Sequence, residues 1–96
     1  MYTKIYKEEG KILIAACDED IIGKKFSEGE LLLHVREDFY KGERMDLDKL
    51  EDLLGNANIA NLTGNKVVER AIDAGFVDEK NVIIIQGIKH AQIVEI

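Results

Sequence analysis

The sequence predicts an α+β domain, and three of its features lead to that prediction. Two short apolar runs, Ile12–Ala16 and Val82–Ile85, are bounded by turn residues, which is typical of strands buried on both faces. Three other segments repeat apolar residues at helical spacing. The sequence has no prolines, and eight glycines separate these segments. We therefore expect a mixed or mostly antiparallel sheet of about five strands covered by three helices.

The first strands are predicted to form a hairpin. Lys4–Glu8 and the apolar run after Lys11 are joined at Gly10, a residue suited to a tight turn. A helix is expected next over Asp20–Ser27, because Asp18 is a good N-cap and Gly29 stands where the residue after a C-cap belongs.

The middle of the chain predicts another strand, a turn and a second helix. Leu31–Val35 is predicted as a strand and Asp38–Gly42 as a turn that carries two aromatic residues. The second helix is predicted over Asp48–Leu54, capped by Asp46 and ended by Gly55. Its apolar stripe consists of Leu47, Leu50, Leu53 and Leu54.

The last third predicts one helix and two strands. The helix covers Val67–Ala74, begins at Gly64–Asn65 and stops at Gly75. The segment Asn58–Leu62 fits neither pattern clearly. Strands are expected over Val82–Ile85 and Gln92–Ile96.

Composition narrows the class of protein. The 96 residues suit one domain, residues 1–96, and 13 basic against 19 acidic residues give a net charge of 13 − 19 = −6. This acidity argues against a DNA coat or a polybasic membrane binder, although a local RNA contact or a protein partner stays open. One cysteine cannot form an internal disulfide, which favours the cytoplasm. No apolar run reaches about 18 residues, so no membrane-spanning helix is expected.

No cofactor or metal site is predicted. The string beginning at Asp18 resembles a calcium loop but has Ile22 at the fifth position and Gly29 at the twelfth. The string Gly23–Lys25 lacks the upstream glycine and the following Ser or Thr of a phosphate loop.

Four side chains are candidates for chemistry. Cys17 lies between a strand and the predicted helix, and we expect a buried, unreactive thiol because carboxylates follow it directly. His90 and Gln92 point to one face if their segment is extended, so they either present a base and an amide to a ligand or form a polar edge. His34, inside an apolar strand, is predicted to be a structural histidine.

The pair Phe39–Tyr40 has two interpretations. With Lys41 and Arg44 nearby, the rings are able to stack on a nucleic-acid base, but a turn folded onto the core explains them equally well.

Four strings in order resemble the small archaeal proteins grouped as domain of unknown function family 424. They are Ala15–Asp18 with Gly23, Lys24 and Phe26; Phe39–Tyr40 with Gly42; Ala60–Leu62 with Gly64; and His90–Gln92. The resemblance covers Lys4 to Val94. It departs at Lys89, where the family pattern has a proline, and at Thr63, which is often valine.

The resemblance implies an archaeal, cytoplasmic protein and names no reaction. It marks the following as motif positions: Cys17, Asp18, Gly23, Lys24, Phe39, Tyr40, Asn61, Gly64, His90 and Gln92.

We expect a non-catalytic binding module linked to translation or RNA metabolism. Its predicted site comprises Asn61, Gly64, His90 and Gln92 side by side, together with Lys24, Phe39 and Tyr40. The alternative is a small enzyme that uses Cys17 or His90 with Asp18 as the orienting group.

Overall fold

Eight strands and three α-helices lie within residues 1–94, the part of the chain that this computed structural model describes. The strands are β1 (Tyr2–Glu8), β2 (Lys11–Cys17), β3 (Lys25–Glu28), β4 (Leu31–His34), β5 (Glu43–Arg44), β6 (Ile59–Thr63), β7 (Ile83–Ile85) and β8 (Ile88–Ile93). The helices are α1 (Glu37–Tyr40), α2 (Leu50–Gly55) and α3 (Asn65–Asp73). The predicted α+β class is confirmed, with more strands than expected.

A six-stranded mixed sheet organises the fold, in the order β5-β1-β2-β6-β8-β7. Strands β2 and β6 run parallel, and the other neighbours are antiparallel. The predicted hairpin of β1 and β2 is confirmed. Its turn residues Glu9 and Gly10 both have positive φ, which matches the twist of a tight hairpin. Strands β3 and β4 form a separate hairpin.

Two apolar cores lie on opposite faces of this sheet. Helices α2 and α3 cover one face, where Ile14 and Ala16 of β2 point. The β3–β4 hairpin and α1 pack over the other face, where Ala15 and Cys17 point. The prediction that Ile12–Ala16 is a central strand is therefore confirmed, because successive side chains of β2 enter different cores.

The helix predicted over Asp20–Ser27 is wrong. A short 3₁₀ turn covers Glu19–Ile21, and β3 begins at Lys25. Gly23 has a φ of 81°, which interrupts any helix there, and Gly29 forms the tip of the β3–β4 hairpin instead of following a helix. The turn predicted at Asp38–Gly42 overlaps the single helical turn α1, which begins one residue earlier at Glu37.

Two predictions about burial are also wrong. His34 is exposed, because side chains alternate along β4 and only Leu33 and Val35 of this stretch point into the core. The run Val82–Ile85 is not buried on both faces, since β7 is the edge strand. Ile83 and Ile84 remain 45 % and 52 % exposed.

The two later helices form where they are predicted, with ends shifted by one or two residues. A 3₁₀ turn over Leu47–Lys49 leads into α2, and α3 starts directly after Gly64. Asp46 stands before the first of these turns, but its side chain makes no capping hydrogen bond. The final strand predicted over Gln92–Ile96 overlaps the end of β8, and residues 95 and 96 lie outside the described part. No helix in residues 1–94 is long and apolar enough to cross a membrane.

Candidate functional site

Three polar side chains meet on the face of the sheet that carries α1 and the β3–β4 hairpin. Asn61 of β6 lies directly opposite Gln92 of β8, and Thr63 lies opposite His90. Directly paired residues share a face, and so do residues two apart on a strand. We call Asn61, His90 and Gln92 the polar patch. Neighbouring strands are about 4.8 Å apart and His90 is about 6.8 Å from Gln92 along β8, so the patch is compact.

The two amides of the polar patch differ in exposure: Gln92 is exposed and Asn61 is half-buried. The side-chain amides of Asn61 and Gln92 make no hydrogen bond to any described residue. Within residues 1–94, no buried side-chain nitrogen or oxygen lacks a hydrogen-bond partner. Neither amide is therefore fully buried, and each offers a donor and an acceptor.

Thr63 joins the patch to the core. Its hydroxyl lies 2.8 Å from Nδ1 of His90 and 2.9 Å from the hydroxyl of Tyr40. Thr63 and Tyr40 are buried, so Tyr40 supports the site from below and does not face a partner. The sequence reasoning missed Thr63. The available signal was the alternation of apolar Ala60 and Leu62 with polar Asn61 and Thr63, which places Thr63 on the same strand face as Asn61.

Burial determines the protonation of this group. It lowers the pKa of His90 from its ordinary 6.5, with no charged neighbour contributing, so the ring is neutral at pH 7. It raises the pKa of Tyr40 above 10, so that phenol keeps its hydrogen. The polar patch is therefore uncharged at neutral pH.

Gly64 adjoins the polar patch but serves a packing role. Its N–H donates to the carbonyl of Lys89 over 2.8 Å, which places it beside His90. A Cβ at Gly64 would collide with the carboxyl group of Asp18. That carboxyl accepts hydrogen bonds from the backbone N–H groups of Lys66 and Val67, at 3.0 and 2.9 Å. Asp18 thus caps α3, not the turn that follows it in sequence.

A pair of aromatic rings lies on the same face of the sheet. Tyr6 and Phe39, which we call the aromatic pair, have ring centroids 5.5 Å apart. The hydroxyl of Tyr6 donates to the carbonyl of Phe39 over 2.8 Å, which holds α1 against β1. A cavity of about 350 Å³ lies here, bounded also by the apolar residues Leu13 and Ile59 and, at its rim, by the charged residues Glu8, Glu9 and Lys11. Ile59 precedes Asn61 by two residues on β6, so the cavity and the polar patch are neighbours.

The chain matches a known protein family. The model of the family described as protein of unknown function (DUF424) matches residues 6–96. The chain belongs to the DUF424 family. No curated protein is significantly similar to it in sequence.

A solved structure has the same fold as this DUF424 chain. It is the crystal structure of an uncharacterized conserved protein from Methanopyrus kandleri, with a TM-score of 0.78 and 24 % sequence identity. The match covers 96 % of this chain and 88 % of that one. At this identity the likeness establishes the fold alone.

Lys24 stands apart from the other predicted site residues of this DUF424 protein. Its backbone bonds to Ile21 and Val35, at the turn before β3, and its side chain is exposed. Within the described residues, no side-chain contact connects it to the polar patch. The structure thus brings together Asn61, Gly64, His90 and Gln92, supports them with Tyr40, places Phe39 beside them, and leaves Lys24 outside.

The groups needed by the enzyme alternative are otherwise engaged. Cys17 is fully buried, and burial, reinforced by the negative charge of Asp18, raises the pKa of its thiol to about 12. The carboxylate of Asp18 is held by the amides of α3 and does not orient His90. His90 instead bonds to a threonine hydroxyl.

A larger cavity lies on the opposite face of the sheet. It measures about 630 Å³ between β1, β2 and α2, with Ile5, Ile12 and Leu53 among its lining residues. Charges of both signs surround it, including Lys49 and Asp52. This mixture selects no single kind of ligand, and no residue of the polar patch reaches it.

Proposed function

We propose that this protein is a non-catalytic module that binds single-stranded RNA through the polar patch, in translation or another step of RNA metabolism. The observation that supports this most directly is that the uncharged polar patch lies beside the cavity bounded by the aromatic pair. Gln92 supplies an exposed amide and Asn61 a half-buried one, His90 supplies a neutral ring, and Tyr6 and Phe39 lie next to them.

This combination suits bases better than phosphates. Proteins that recognise single-stranded RNA stack unpaired bases on aromatic rings and hydrogen-bond to the base edges. The amides of Asn61 and Gln92 each carry a donor and an acceptor, which base edges require. A phosphate binder would need several free cations in place of these amides.

Charge sets the expected strength of binding. The whole chain carries −6, so broad attraction to a phosphate backbone is absent. Two lysines do lie on this face, and each also has a partner: Nζ of Lys4 donates to the carbonyl of Asp38 over 2.9 Å, and Nζ of Lys41 is 3.6 Å from Oε1 of Glu37. Both partners are exposed, so a phosphate can still approach these ammonium groups. With about two phosphates contacted, the logarithm of affinity should fall with the logarithm of salt at a slope near −1.4, at about 0.7 per phosphate for a single strand.

The test measures fluorescence anisotropy with a labelled single-stranded RNA of mixed sequence, about the length that one small domain occupies. Replacing both amides (Asn61→Ala with Gln92→Ala) should weaken binding roughly tenfold or more, since each lost base contact is worth about 1–3 kcal/mol. The matched control is Asn81→Ala, which removes an exposed amide that lies outside the polar patch.

Two results would contradict the proposal. The first is absence of RNA binding by the wild-type chain at concentrations where it stays folded. The second is equal binding by the wild type and the double variant. A loss of binding by the double variant counts for the site only if its thermal stability matches that of Asn81→Ala.

A further inference from the structure

A chain of hydrogen bonds runs from the core to the polar patch. It passes from the hydroxyl of Tyr40 to that of Thr63 and on to Nδ1 of His90, at 2.9 and 2.8 Å. Tyr40 is 4 % exposed and Thr63 is 0 % exposed, so water does not reach the two hydroxyls freely. Neither hydroxyl has another partner among residues 1–94.

The direction of this chain follows from counting hydrogens. Each buried hydroxyl hydrogen needs an acceptor, because an unsatisfied one costs about 1–3 kcal/mol. If Nδ1 of His90 donated to Thr63, either the hydroxyl hydrogen of Tyr40 or that of Thr63 would have no acceptor. Only one arrangement satisfies both: Tyr40 donates to Thr63, and Thr63 donates to Nδ1. A neutral imidazole whose Nδ1 accepts carries its hydrogen on Nε2.

The Nε2 atom of His90 is at least partly accessible to solvent. It has no hydrogen-bond partner in the described part of the chain. Since no buried side-chain nitrogen or oxygen of residues 1–94 lacks a partner, Nε2 is not buried. The polar patch thus presents a fixed N–H donor at this atom, beside the amides of Asn61 and Gln92.

We propose that Tyr40 and Thr63 are positioning residues that fix His90 as a donor, so that the polar patch selects bases with a carbonyl oxygen at C4 of a pyrimidine or at C6 of a purine. This rests on the proposed function and names its preferred ligand. At that position uracil O4 and guanine O6 accept a hydrogen bond, whereas the amino groups of cytosine (N4) and adenine (N6) donate. A donor facing a donor leaves both unpaired, which is the kind of mismatch that binding sites reject most strongly.

The sharpest comparison uses two single-stranded RNA probes, oligouridine and oligocytidine of equal length. The two pyrimidines have the same ring and differ at the exocyclic group and the adjacent ring nitrogen. The wild-type chain should bind oligouridine roughly tenfold more tightly, at about 1–3 kcal/mol per correctly paired base edge. Thr63→Val, which replaces the hydroxyl by a methyl group, should bring this ratio toward one. Thr63→Ser, which keeps the hydroxyl, should preserve it.

The tautomer of His90 is measured separately by ¹⁵N nuclear magnetic resonance of its ring. The wild type and Thr63→Ser should show the hydrogen on Nε2, and Thr63→Val should show a mixture of the two forms. A merely structural role of Thr63 would alter stability without changing this signature. The wild-type measurements need no variant, so they stand even if Thr63→Val does not fold.

The outcomes distinguish the two proposals. If the wild type binds neither oligonucleotide, the proposed function fails and the selectivity fails with it. If it binds both equally while the hydrogen is on Nε2, the selectivity alone is wrong. A hydrogen on Nδ1 in the wild type would overturn the hydrogen count and the donor assignment, whether or not RNA binds.

Discussion

Asp18 and Gly64 are packed so closely that no side chain fits at position 64. A Cβ there would overlap the carboxyl group of Asp18, and the backbone of Gly64 has a φ of 112°. The same carboxyl accepts hydrogen bonds from Lys66 and Val67 at the start of α3. The end of β2 is thereby tied to the start of α3, next to Thr63 at the end of β6 and its cross-strand partner His90 in β8.

Replacing Asp18 should destabilise the fold. Asp18→Ala leaves the N–H groups of Lys66 and Val67 without their acceptor, and loss of such a cap costs about 0.5–2 kcal/mol. Because Asp18 is 9 % exposed, water replaces it poorly and the upper end of that range is expected. Urea unfolding measures the difference. Asp18→Asn keeps one acceptor oxygen and should lose less, so equal losses in both variants would contradict the capping role.

Replacing Gly64 should be more severe than replacing a glycine at the other end of α3. Gly75 also has positive φ, 83°, but no atom lies within 4 Å of the position that a Cβ would take there. Gly75→Ala therefore bears only the conformational cost, about 1–2 kcal/mol. Gly64→Ala adds a collision, and overpacking costs about 1–3 kcal/mol more. Similar free energies of unfolding for the two variants would show that the contact with Asp18 relaxes without cost.

Local patterns determined which parts of the fold could be predicted. The segment Ile12–Ala16 is a strand in the sheet centre, so its continuous apolar composition reflects burial on both faces. The helix α3 has an amphipathic stripe bounded by Gly64 and Gly75. The helix over Asp20–Ser27 was predicted wrongly because Asp18 is a good N-cap residue. Its carboxylate caps α3 instead, a partner distant in sequence that no local pattern reveals.

The candidate site was predictable in its surface residues and not in its support. Polar residues in otherwise apolar segments pointed to Asn61 and to His90 with Gln92, and the register of β6 with β8 places them together. That they bind a ligand stays a prediction. Thr63 and the buried position of Tyr40 depend on how three separate segments pack, so the hydrogen bonds that orient His90 needed the structure.

Cys17 should be inert in the folded protein. Its thiol is fully buried with a pKa of about 12, so the reactive thiolate is scarce near pH 8. An aromatic disulfide reagent should modify it slowly under native conditions and rapidly in urea. The rate in the native state should follow the population of unfolded molecules, and so rise in Asp18→Ala. Rapid modification of the native wild type would contradict this and revive the enzyme alternative.

The stability of the protein should depend on pH through His90. Burial lowers the pKa of His90 in the folded state, whereas the unfolded chain has the ordinary value of 6.5. Between these two pKa values the unfolded chain binds more protons, so the free energy of unfolding rises with pH in that window and levels off above about 6.5. Stability should therefore fall as the pH drops from about 6.5 through the lower pKa of the folded state. His90→Gln should lose this dependence, while His34→Gln, at an exposed histidine, should keep it. Urea unfolding from about pH 5 to about pH 8 makes the comparison. Parallel pH profiles for the wild type and His90→Gln would show that His90 is not buried in its neutral form.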